Sequence, residues 1–183
     1  MRNYEAQLSG GKPNSLGNTV AVVEDVLAHP AAFDELFHCY FSDDELVRLR
    51  VSNAMKRLAA EQPDLLVPYL DRFLDEIAYI PQASTQWTLA QLLLVYEPQL
   101  SPKQYATATH LLKRCFDESP EPAAWHDDWI VLNMTLKTLG TWAKRDADLR
   151  AWLVPHLQRL SSDRRTSVRN KAEKLLGALG GGE

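Results

Sequence analysis

The chain has 183 residues and a formal net charge of −4, and it is 45% hydrophobic and 24% charged. A length of this order makes about one domain that buries roughly two-thirds of its unfolded surface without a disulfide or metal staple. The apolar share excludes wholesale disorder, the longest apolar run, residues 92–96, is five long where a membrane span needs about 18, and the negative overall charge argues against a dedicated nucleic-acid binder.

Residues 1–18 are rich in Gly, Ser, Asn and Pro, lack periodicity and read as an N-terminal tail or lead-in loop. They carry no apolar h-region, so a signal peptide is not expected. From residue 19 onward apolar residues recur at helical spacing with almost no strand-like alternation. Asn18-Thr19 can cap a first helix over residues 20–29. Pro30 opens the next, with Phe33, Leu36, Phe37, Tyr40 and Phe41 on one side. Ser42-Asp43-Asp44 precedes a long helix through Val47, Val51, Ala54, Met55 and Leu58. Pro63 restarts the chain at a first helical position, ahead of Leu66, Leu70, Phe73, Leu74 and Ile77. Ser84-Thr85 caps a helix through Leu89, Leu92, Leu93 and Tyr96. Tyr105, Ala108, Leu111, Leu112, Cys115 and Phe116 form the next stripe, and Ser119-Pro120-Glu121-Pro122 is the clearest loop. Asp127-Asp128 and Asp146-Ala147-Asp148 cap two further helices, and Ser161-Ser162-Asp163 precedes the last, which Gly180 closes ahead of the tail 180–183.

Charge is uneven along this order. Residues 1–136 carry a net −9 and residues 137–183 a net +5, so the average of −4 hides an acidic body and a basic end. Cys39 and Cys115 lie 76 residues apart without metal-ligand spacing, and are expected as reduced, buried thiols of a cytoplasmic protein.

A repeat organises the pattern. Val47-Arg48 is followed by Val51, Ala54, Met55 and Leu58, and Val168-Arg169 by Ala172, Leu175, Leu176 and Leu179, the same offsets in both copies. A related stretch starts at Val131-Leu132, and a looser one covers residues 85–96. With acidic caps before the first helix of each pair and Pro at or near the second, this resembles the HEAT-repeat family over residues 19–179. The segments Gln86-Trp87-Thr88-Leu89, Asp128-Trp129-Ile130-Val131 and Asp163-Arg164-Arg165-Thr166 are similar to those of small bacterial HEAT-repeat proteins. The resemblance implies an all-α, right-handed α-α superhelix, an ARM/HEAT-like solenoid of about four helical hairpins plus a terminal helix, and it implies no reaction. Phe33, Phe37, Phe41, Phe73 and Phe116 are expected in the core.

Three groups of residues are candidate binding positions. Trp87 with Gln91 and Trp129 with Asn133 each place an indole and an amide on one helical face, a ladder suited to an extended peptide, or else packing between repeats. Trp125, Asp128 and Trp129 combine two aromatics with a carboxylate, as a pocket for a cationic or flipped base needs. Their plain alternative is a helix cap with covering aromatics. Arg164, Arg165 and Arg169 head a basic end that suits phosphates or an acidic protein surface. Arg48 and Arg169, as repeated Val-Arg positions, also read as structural. No catalytic, metal-binding or cofactor motif is present, so no cofactor is expected. The expectation is a non-enzymatic scaffold for a protein or peptide partner, with no membrane contact. The alternative is a HEAT-like DNA-binding or alkylpurine-glycosylase-like protein.

Overall fold

Capping chemistry sets several helix starts. Asp44 accepts from the Leu46 amide at 2.8 Å, and Asp146 accepts from that of Leu149 at 2.9 Å. Ser101 and Gln104 form a reciprocal capping box. These side chains satisfy amides that no helical carbonyl can reach. The computed structural model describes residues 2–12, 14–116 and 127–180, and the chain divides into two compact units, Met1–Gln99 and Leu100–Glu183. Among the described residues the fold is all-α, with ten α-helices, short 3₁₀ turns and no strand.

The first unit holds α1 (Tyr4–Leu8), α2 (Thr19–Ala28), α3 (Phe33–His38), α4 (Glu45–Glu61), α5 (Leu70–Asp75) and α6 (Ala83–Tyr96). Helix α4 is its centre and packs against α1, α2 and α6. Val47, Val51, Ala54, Met55 and Leu58 on α4 are all fully buried. Beside it Phe33, Phe37, Tyr40 and Phe73 form an aromatic core, with Phe37 and Phe73 edge-to-face at 5.2 Å. The Arg72 guanidinium covers the Phe37 ring at 4.4 Å. Phe41 departs from the expectation of a core position and is 48% exposed. It ends a 3₁₀ turn, Cys39–Phe41, whose tighter winding rotates it off the face that Phe33 and Phe37 share.

Residues 4–8, expected within a loop, form a helix whose Tyr4 and Leu8 are fully buried. The Tyr4 hydroxyl donates to Asp25 at 2.6 Å and Arg2 pairs with the same carboxylate at 2.7 Å. Asn18 makes no side-chain cap on α2 and instead donates to the Gln7 carbonyl at 3.0 Å. Arg50, only 2% exposed, completes the attachment. Its guanidinium donates to the carbonyls of Leu8, Gly10, Lys12 and Ser15 and, among the described residues, has no carboxylate partner. Gly17, at φ +52°, lets the loop pass so close that a Cβ there falls 2.7 Å from Arg50 Cζ.

The second unit holds α7 (Pro102–Lys113), α8 (Trp129–Trp142), α9 (Ala147–Leu160) and α10 (Thr166–Gly180). Helix α10 packs on both α8 and α9, and α8 also meets α7 and α9. Trp142 is fully buried, its ring 4.8 Å from that of Tyr105. Gly140 allows α8 and α10 to close together, since a Cβ there falls 2.5 Å from a Leu175 methyl.

The two Val-Arg helices close their leading loops alike. Val47 and Val168 are fully buried, and the adjacent arginine folds back to the carbonyl six residues earlier, Arg48 to Ser42 and Arg169 to Asp163. In both copies the valine anchors the helix and the guanidinium satisfies a loop carbonyl.

Candidate functional site

The starts of α8 and α10 form one rim in the second unit. Asp128 caps α8 by accepting from the amides of Ile130 at 2.9 Å and Val131 at 3.0 Å. That leaves Trp129 at the first helical position with its indole 51% exposed. Arg165, just before α10, reaches the segment that leads into α8. Its Nε and one terminal nitrogen donate to both oxygens of Asp163, at 2.9 and 2.7 Å, while the other terminal nitrogen donates to the Asp127 carbonyl at 3.0 Å. One turn further along, Asn133 donates to the Ser167 hydroxyl at 3.2 Å. The rim is thus crosslinked twice, and an exposed aromatic stands on it.

Electrostatics reinforce this frame. The hydrogen bonds from Arg165 hold the Asp163 carboxyl at about 2 against an ordinary 3.8, although partial burial acts in the opposite direction. Burial pushes the Cys115 thiol up to about 12, and does the same to Cys39 in the first unit. Both cysteines are free and buried, so neither presents a thiolate nucleophile at neutral pH.

The candidate residues separate under this geometry. Asp128 is a helix cap whose Oδ1 accepts from two amides. Arg165 and Arg169 are likewise engaged, Arg169 with the Asp163 carbonyl at 3.1 Å and the Thr166 hydroxyl at 3.4 Å. Arg164 is exposed. Asn133 links two helices rather than satisfying a turn, and its side-chain oxygen is buried without a partner. Trp87 and Gln91 lie half-buried on α6 in the first unit, while Trp129 and Asn133 belong to the second. Trp125, with its neighbour His126, lies outside the described residues.

A groove in the first unit went unseen in the sequence. It runs between α2 and α4 with a volume of about 590 Å³. Val20, Val23 and Leu27 form its apolar wall, and Lys56 and Arg57 are the cations on the α4 side. The available signal was Val20-Val23-Leu27, an apolar stripe that sits beside rather than within the fully buried Val22-Val26 pair.

Among the described residues no group of three or more His, Cys, Asp or Glu side chains could hold a metal ion, and no helix is long and apolar enough to cross a membrane. No protein-family model, curated protein or solved structure matches the chain.

Proposed function

We propose that the chain is a non-enzymatic binding scaffold whose partner is a protein or peptide, docked at the rim where α8 and α10 begin. The observation that carries this reading is the exposed indole of Trp129 on a pinned helical turn. A large aromatic ring carried on a backbone already fixed before contact is a common anchor of a protein interface, because little backbone freedom is lost on binding. We read the two units as parts of one HEAT-like right-handed α-α superhelix. The matched Arg48 and Arg169 clamps support that reading, since both copies solve the same loop problem with the same pair of residues.

Trp129 also lends weight to the nucleic-acid alternative, because an exposed indole can stack a base. The protein reading is the better supported of the two. A pocket for a flipped base uses a carboxylate to hold it, and Asp128 gives one of its two oxygens, Oδ1, to the α8 cap. Arg165 and Arg169 point their guanidinium groups at Asp163 and its loop rather than outward.

The test compares immobilised wild type with Trp129→Ala for what each retains from one cell extract. The expected result is a protein held by wild type and reduced by about tenfold or more on the variant, at equal thermal stability. Equal retention of every protein on both columns contradicts the proposal.

A further inference from the structure

The α2–α4 groove is unrelated to the rim and lies in the other unit. Two helical stripes face one another across it. Val20, Val23, Glu24 and Leu27, at the spacing of one helical face, come from α2. Asn53, Lys56, Arg57, Ala60 and Glu61 come from α4. Val20 is 42% exposed despite its branched apolar side chain. A volume of about 590 Å³ lies within the range of about 300–1,000 Å³ typical of small-molecule sites.

Its charges are unsettled. Lys56 is half-buried, and among the described residues its ammonium makes no ion pair. Arg57 stands next to it and makes none either. Glu24 and Glu61 line the same groove, yet neither pairs with either cation. Burial, and then the like charge of Arg57, pull the Lys56 pKa below the usual lysine range. A half-buried cation beside a second cation is stabilised by whatever anion enters.

We propose that this groove binds a small amphipathic carboxylate, with its apolar body along Val20, Val23 and Leu27 and its carboxylate at Lys56 and Arg57. The separation of an apolar wall from a cationic corner selects this chemistry. An uncharged alkane lacks the ion pair, a short carboxylate lacks the apolar contact, and an amine would have to pair with Glu24 or Glu61 instead of the two cations.

Isothermal titration of the full chain with octanoate tests it, with octanol, acetate and octylamine as controls. Octanoate is expected to bind about tenfold or more tightly than any control. Lys56→Met and the exposed-site variant Arg57→Gln should each weaken octanoate by about three- to tenfold while leaving octanol unchanged. Val20→Asp, on the exposed end of the wall, should abolish binding with an unchanged circular dichroism spectrum. The proposal is overturned by an absence of octanoate binding to wild type, by octanol binding as tightly as octanoate, or by full octanoate affinity in Arg57→Gln. That last variant decides the matter even if Lys56→Met misfolds.

Discussion

At the scale of single residues, two arginines do the structural work that their neighbours cannot. Arg165 holds Asp163 at about 2, so this carboxylate is depressed in the folded chain relative to the unfolded one. Its contribution to stability is therefore complete above about 4 and is lost as pH falls through about 2. After discounting for solvent screening, that contribution is about 1–2 kcal/mol. Urea midpoints should show it: Asp163→Asn lowers stability at pH 7 and flattens the fall between pH 4 and pH 2. A variant that keeps the wild-type acid profile would contradict this role. Arg50 acts without any carboxylate among the described residues. Its removal as Arg50→Met leaves the carbonyls of Leu8, Gly10 and Ser15 short of a donor, while that of Lys12 keeps the Ser15 amide, and an unfolding curve should show a loss of about 3 kcal/mol. Selective release of residues 4–17, seen as fast amide exchange there, is the expected accompaniment.

Between helices, close approach decides which substitutions the fold accepts. Gly140 and Gly177 are both helical glycines, and replacement by alanine gains each about 0.5–1 kcal/mol of helix propensity. At Gly177 nothing lies within 4 Å of the new methyl, so Gly177→Ala should stabilise by that amount. At Gly140 the methyl falls 2.5 Å from one Leu175 carbon and 2.9 Å from another, and overpacking costs about 1–3 kcal/mol. Gly140→Ala should therefore destabilise the chain on balance. Thermal melts of the two variants should move in opposite directions.

Much of this level was legible in the sequence. Spacing identified the α4, α8 and α10 stripes, and the Asp44, Asp128 and Asp146 caps follow from residue type at a helix start. Phe41 was not legible, because a 3₁₀ turn changes the winding without changing the apolar pattern. Helix α1 was missed because only Tyr4 and Leu8 mark it, and Arg50 because a cation among Val47, Val51 and Ala54 shows its partners only once residues 8–15 fold over it. Trp129 was legible as a candidate, but its exposure depends on packing that no periodicity encodes. The α2–α4 groove depends on how two helices face one another, which neither stripe specifies alone.

For the whole molecule, the average charge describes neither unit. Residues 1–99 hold 7 basic and 14 acidic side chains, and residues 100–183 hold 13 and 10, giving net charges of −7 and +3. The basic excess is modest, and two of its arginines are tied to the Asp163 loop. Full-length chain should therefore cause no retardation of a DNA duplex at low salt. Retardation that disappears with salt and with Arg164→Ala would favour the nucleic-acid reading instead.

Fluorine NMR tests most directly whether Trp129 anchors a protein interface. With 5-fluorotryptophan at all five tryptophans, the Trp129 resonance is assigned by its absence from a Trp129→Phe sample. The protein retained by wild type is then titrated in. The Trp129 resonance should shift or broaden first and most. Binding that perturbs the other indoles while leaving Trp129 unmoved would contradict that role.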